Sequence, residues 1–169
     1  MSNNRPMPLR FPIVLVLSFV CLAALPAWAD GQVGADAYKR ADYATALREW
    51  RPLAEQGDAD AQYNLGVMYD FAKGVPQDFT AARQWYEKAA SQGHAGAQNN
   101  LGGLYEFGHG VKRDYVRAYM WYNIASAHRT GDPQKDVAAE SLDEIAGRMT
   151  SAQIAEAKKL AREWKPKGQ

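Results

Sequence analysis

Cysteine is almost missing from this chain of 169 residues: the one copy, Cys21, stands inside an apolar N-terminal run, so no intramolecular disulfide and no thiolate metal cluster can form. Histidine is nearly as scarce. His94, His109 and His128 are the complete set, and none falls in the H-x-x-x-H or H-E-x-x-H spacing that puts two imidazoles on one helix face. They read as solvated histidines of turns and helix ends. An excess of charge is missing too, since 20 basic residues oppose 19 acidic ones. Without a basic surplus there is no electrostatic footprint for nucleic acid.

Catalytic patterns are equally absent. Ser91, Ser126, Ser141 and Ser151 lack any nucleophile-elbow context. Asp70 and Glu106 are single acids rather than the close pair with opposed pKa values that hydrolysis needs. The expectation is that the protein is not an enzyme and carries no cofactor or metal.

What is present begins with a segment of a different kind. Arg5 and Arg10 precede an apolar stretch from Phe11 to Leu25, followed by Ala27-Trp28-Ala29, the small-x-small pattern of a signal-peptidase site. The apolar core is shorter than the ~20 residues a spanning helix needs. Residues 1–29 are therefore read as a cleaved signal peptide, with the product periplasmic or secreted and not inserted in a membrane. Removing Arg5 and Arg10 leaves 18 basic residues against 19 acidic ones, a net charge of −1.

The most informative pattern is a repeat. From Ala61 the chain reads AQYNLGVMYDFAKGVPQDFTAARQWYEKAASQG, and from Ala97 AQNNLGGLYEFGHGVKRDYVRAYMWYNIASAHR, 36 residues later. Leu65, Gly66, Tyr69, Gly74, Val75, Asp78, Ala82, Trp85, Tyr86 and Ala89 all recur in phase, as Leu101, Gly102, Tyr105, Gly110, Val111, Asp114, Ala118, Trp121, Tyr122 and Ala125. A period of this length means stacked supersecondary units, each unable to bury its apolar face alone.

Within one unit the periodicity predicts two helices. Ala61, Leu65, Met68 and Tyr69 share one face of a first helix, A, with Gly66 beside them; that glycine costs ~1 kcal/mol of helix propensity and is explained by close backbone approach of a partner helix. Helix B runs from about Phe79 to Ser91 with Ala82, Trp85, Tyr86 and Ala89 as its apolar stripe. Asp78 and Asp114 stand where a carboxylate caps the free amides. Gly74 and Gly110 read as positive-φ turn residues with Val75 and Val111 tucked beneath, and Gly93 as the end of the first B helix. Tyrosine and tryptophan at Trp85, Tyr86, Trp121 and Tyr122 read as interhelical core rather than a sugar-stacking platform.

The B-helix phase also appears upstream, in Asp42, Tyr43, Ala46, Trp50, Leu53, Ala54 and Gly57, after an abbreviated A helix from about Val33 to Arg40 and a tight turn at residues 40–42. Downstream the period stops. Asp132-Pro133 opens a helix carrying Val137, Ala138, Leu142, Ile145 and Ala146, and Thr150 with Gln153 has capping-box spacing before a last helix with Ile154, Ala157, Leu160, Ala161 and Trp164 on its buried face. The units are thus a signal peptide (1–29), a truncated N-terminal repeat (30–58), two full repeats (59–95 and 96–131) and a C-terminal cap of two helices (132–169).

The pattern A-x-x-x-L-G-x-x-Y, then G-x-G-V-x-x-D, A-x-x-W-Y and A-A-x-x-G, resembles the Sel-one-like repeat (SLR) family, relatives of tetratricopeptide proteins. The first full copy departs from it at Ala72, where a loop glycine is usual and where the second copy keeps Gly108; in the second copy Arg129 takes the terminal glycine position, with Gly131 two residues on. The resemblance implies an all-α fold, a short right-handed α-solenoid of antiparallel helix hairpins with a C-terminal cap. It also implies a scaffold that binds another protein.

If Ala61, Leu65 and Tyr69 face the core, Tyr63, Val67, Asp70 and Phe71 turn away from it, with Asn99, Gly103, Glu106 and Phe107 as their period mates. In tetratricopeptide-like stacks the A helices line the groove, so these residues are the expected site for a peptide or partner helix. Asn64 and Asn100, beside them, either bind the ligand's backbone or satisfy carbonyls of a neighbouring helix. With fewer than three full repeats the groove would offer on the order of 1,000 Å². Other function classes fit the same residues: a cell-wall-associated enzyme or its activating subunit, using exposed aromatics, and a self-assembling protein joined through its N-terminal edge. A monomer is the expectation for the adaptor.

Overall fold

The structure, a computed structural model, describes residues 27–127 and 133–166. Its elements are α1 (Ala27–Lys39), α2 (Tyr43–Glu55), α3 (Ala59–Asp70), α4 (Phe79–Ser91), α5 (Ala95–Phe107), α6 (Tyr115–Ser126), α7 (Pro133–Ala146) and α8 (Ser151–Glu163), with no strand among the described residues. The pairs α1–α2, α3–α4 and α5–α6 are hairpins; α2 packs on α3 and α4 on α5, so the hairpins stack in chain order. Both α7 and α8 close the end of the stack against α6. This is the helical repeat solenoid the pattern implied.

Local chemistry explains where the helices begin. Asp42, Asp58, Asp78 and Asp114 each accept a hydrogen bond from a backbone N–H of the first turn of α2, α3, α4 and α6. Such a cap contributes about 1 kcal/mol by satisfying amides that have no partner inside the helix. Thr150 and Gln153 form the reciprocal capping box at α8. Positive φ at Gly74 (72°) and Gly110 (65°) turns the chain between the helices of each full repeat.

One packing device recurs three times. A β-carbon added at Gly34, Gly66 or Gly102 would fall inside contact distance of the ring of Trp50, Tyr86 or Tyr122 respectively, so each B helix lays an aromatic ring on the bare backbone of its A helix. Rings of this kind remove roughly 150–250 Å² each from water, which repays the helix propensity lost at glycine. Tyr86 is fully buried.

The first hairpin corrects the sequence reading. Its A helix was expected to be abbreviated and to start near Val33, but α1 has 13 residues and starts at Ala27. The tight turn expected at residues 40–42 is present. Gly34 precedes Gly66 by 32 residues rather than 36, and Arg40-Ala41-Asp42 alone join α1 to α2, with Ala41 at φ 60°. At this end of the stack Val33, the counterpart of the buried Leu65 and Leu101, is 49% exposed.

At the other end, Ala138 and Ile145 of α7 are buried as expected, but Val137 is 46% exposed, being one residue out of phase with them. The Asp132 cap, Arg129, Gly131 and His128 fall outside the described residues, as do residues 1–26 of the expected leader. No described helix is long and apolar enough to cross a membrane.

Candidate partner-binding site

Where α3 and α5 lie side by side, the ends of both A helices and the loops after them enclose a hollow of about 350 Å³. Asp70, Phe71, Asn99, Asn100, Gly103 and Phe107 line it, all named by helical phase, the repeat period or adjacency to those positions, together with Gln77, Phe79, His109 and Tyr122. Phe71 and Phe107 are 59% and 62% exposed, large apolar rings at equivalent positions of successive repeats. The floor opens because Gly103 stands where the preceding repeat has Val67; a β-carbon there would meet only the Tyr122 hydroxyl, at 3.7 Å.

Polar groups in and around this hollow are arranged unequally. Asp70 is half-buried, and its Oδ2 accepts a hydrogen bond of 3.1 Å from the Tyr86 hydroxyl. Burial pushes its carboxyl above the usual aspartate range, against the Tyr86 bond and the nearby His109, both of which pull it down. Burial and the Asp70 charge together drive the Tyr86 phenol far above the ordinary tyrosine value. Asn100 lines the hollow beside Tyr63 and Tyr86, where its amide opposes the upward push of burial on both phenols. The amide oxygen of Asn99 is buried without a hydrogen-bond partner.

Tyr63 and Asn64 belong to a second hollow of about 500 Å³, shared with Gly31, Gln32, Ala35, Trp50 and His94. Tyr63 stacks on His94 with ring centres 4.4 Å apart. Val67 is not free: it packs half-buried against the second core cluster.

Glu106 corrects the expectation of an exposed site acid. It is 6% exposed, accepting from the Tyr122 hydroxyl at 2.9 Å through Oε2 and facing Arg148 at 3.5 Å through Oε1. Arg148 follows α7, so the cap covers this carboxylate.

His94 is more than a solvated helix-end histidine. His94 is the N-cap of α5, its Nδ1 accepting from Ala97 N–H at 3.1 Å, and Nε2 lies 3.3 Å from Asp60. The signal was available, because His94 stands one period after the capping Asp58. His109 is exposed but stacks on Phe79 with ring centres 4.4 Å apart and forms one wall of the first hollow.

A larger and more open hollow of about 750 Å³ lies beside the start of α6, lined by Arg83, Lys112, Arg113 and Arg117 among others. Most of its cations are engaged: Arg83 with Glu87, Arg117 with Asp114, and Arg113 over the Tyr115 ring. The hollow between α3 and α5, with apolar walls and a half-buried carboxylate, is the better site for a specific side chain.

The Sel1 repeat family model matches residues 59–94 and 95–128. A protective antigen of uropathogenic Escherichia coli strains, whose crystal structure displays an SLR fold, is 32% identical with a TM-score of 0.75 over 82% of this chain. A Sel1 repeat protein from Oxalobacter formigenes is 29% identical with a TM-score of 0.63 over 79% of this chain. The chain spans 29% of the first relative's length and 55% of the second's. Among curated proteins no sequence matches it.

Proposed function

The chain belongs to the Sel1-like repeat proteins, and from that premise we propose that it is an exported adaptor that holds a peptide or helix of another protein along its A-helix face. Sel1 repeats generally mediate binding to other proteins, and the fold is typically a non-catalytic scaffold. The observation that carries the finer reading is the hollow between α3 and α5, which brings together two exposed phenylalanines, two asparagines and a half-buried carboxylate from successive repeats. Apolar anchors with a few fixed polar groups are what an extended or helical segment needs for affinity and register.

Export rests on Arg5, Arg10, the apolar stretch and Ala27-Trp28-Ala29. Cleavage after Ala29 would remove the first three residues of α1 and keep Gly31, whose carbonyl accepts from the Trp50 indole at 3.2 Å, and Gly34 beneath the same ring. Adaptor work of this kind takes place between folded proteins, in the periplasm or beyond it.

Site-specific photocrosslinking tests both parts. A crosslinker at Phe107 should capture a protein in the native envelope, and capture should fall when Phe71 is replaced by alanine. The same crosslinker at Gln84, exposed on α4, should capture nothing. Equal capture from both positions sinks the groove reading. Mass spectrometry of the same sample should find the chain beginning at Asp30, and an intact leader would sink export.

A further inference from the structure

We infer that the hollow between α3 and α5 is built to receive an arginine side chain of the partner, with Asp70 as its counter-charge. This rests on the groove reading above and names what the groove recognises.

The molecule carries its own version of the complex one repeat further on. In both full repeats the B-helix tyrosine that covers the A-helix glycine donates to the acid four residues after that glycine: Tyr86 to Asp70 at 3.1 Å, Tyr122 to Glu106 at 2.9 Å. One carboxylate oxygen is thereby used in each copy. At Glu106 the other oxygen, Oε1, faces the Arg148 guanidinium at 3.5 Å, and the same guanidinium holds Glu144 at 2.8 Å through its other nitrogen. At Asp70 the corresponding Oδ1 meets no lysine or arginine in any ion pair among the described residues, and the space beside it is the hollow. The cap supplies in cis at the second copy what the first copy leaves to another chain.

The walls suit the same group. A guanidinium is flat and weakly hydrated, so it lies favourably on aromatic faces, and Phe71 and Phe107 stand exposed at the rim. Its five N–H donors exceed what one carboxylate oxygen can use, and Asn99 brings an amide oxygen that has no partner. The open floor at Gly103 gives room for the end of a long side chain. The other titratable side chains of the lining are Tyr122, whose hydroxyl donates to Glu106, and His109, which is stacked on Phe79.

The test titrates three blocked peptides, identical except for arginine, citrulline or leucine at the centre, into the isotope-labelled full chain. The backbone amides of Asn99, Gly103 and Phe107 are followed by NMR. Citrulline keeps the shape and removes the charge. Arginine should bind about tenfold tighter than citrulline, the factor expected from one charge-assisted hydrogen bond pair. Asp70→Asn, which still offers Tyr86 an acceptor, should erase that difference. Gly103→Val, which installs the residue of the preceding repeat and leaves Asp70 in place, should weaken the arginine peptide by a similar factor.

Equal binding of arginine and citrulline, or an arginine preference that survives in Asp70→Asn, overturns the inference. If that happens while the groove amides still shift, the groove reading stands. Should no groove amide move with any of the three peptides, both fall.

Discussion

Gly102 and Gly103 are neighbours in one helix, yet alanine at the two positions should change stability in opposite directions. Alanine gains ~1 kcal/mol over glycine in a helix interior from propensity alone. At Gly103 little opposes that gain, because the new β-carbon would have the Tyr122 hydroxyl at 3.7 Å as its only near neighbour. At Gly102 the β-carbon would be driven into the Tyr122 ring. The ring cannot yield cheaply, since Tyr122 is buried and its hydroxyl is tied to the buried Glu106.

Overpacking of this kind costs about 1–3 kcal/mol. Displacing the ring also strains a hydrogen bond to a charged group, itself worth about 1.5–3 kcal/mol. Gly102→Ala should therefore lose about 2–3 kcal/mol net, and Gly103→Ala should gain about 0.5–1 kcal/mol, by the same magnitudes. At about 2–4 °C per kcal/mol for a chain of this size, the melting temperatures should differ by roughly 5–15 °C. Urea unfolding followed by far-ultraviolet circular dichroism measures both variants on one scale. Stabilisation by both alanines, or loss in both, would refute the ring-on-backbone explanation.

Other expectations follow from the same geometry. Ala72 sits at φ 53° where the second repeat has Gly108 at φ 75°, so Ala72→Gly should stabilise by about 0.5–1 kcal/mol and Gly108→Ala should cost about as much, both read from thermal melts. Because burial raises the Asp70 pKa, the folded state disfavours its carboxylate: stability from this group is fully present below the unfolded-state pKa and is lost as pH rises through the folded value. Asp70→Asn should accordingly be more stable than the parent at neutral pH, with the advantage vanishing in acid; unfolding curves across pH that show no such convergence would contradict it. Glu106→Gln, which keeps an acceptor for Tyr122, should be milder than Glu106→Ala, which should cost about 2–3 kcal/mol and leave Arg148 with Glu144 as its remaining partner, as chemical denaturation would show.

Much of the fold could be read from residues because its determinants are local or periodic. The bounds of α4, the caps at Asp78 and Asp114, the turn glycines and the α8 capping box each depend on a few adjacent side chains. Most of the lining of the hollow was legible for the same reason: helical phase turned Asp70, Phe71, Asn99, Gly103 and Phe107 away from the core stripe, and Asn100 was flagged as their neighbour. What escaped depends on contacts that break the period. His109, Phe79 and Gln77 enter the hollow from loops and a neighbouring helix start. The length of α1 was hidden because the shorter turn shifts its glycine out of the 36-residue phase.

Glu106 shows why sequence equivalence and functional equivalence part company in a short solenoid. Asp70 and Glu106 have the same place on their helices and the same tyrosine donor. They differ in side-chain length, aspartate against glutamate, and in what comes next along the stack. After α3 comes another A helix, α5, which leaves the space beside the carboxylate open; after α5 come α7 and Arg148, which close it. A terminal cap has to neutralise and cover the last copy of whatever the repeat exposes, so the cap removes one site from the array. The position of Arg148 between Glu106 and Glu144 is the observation behind the proposal that the uncovered Asp70 takes its arginine from another chain.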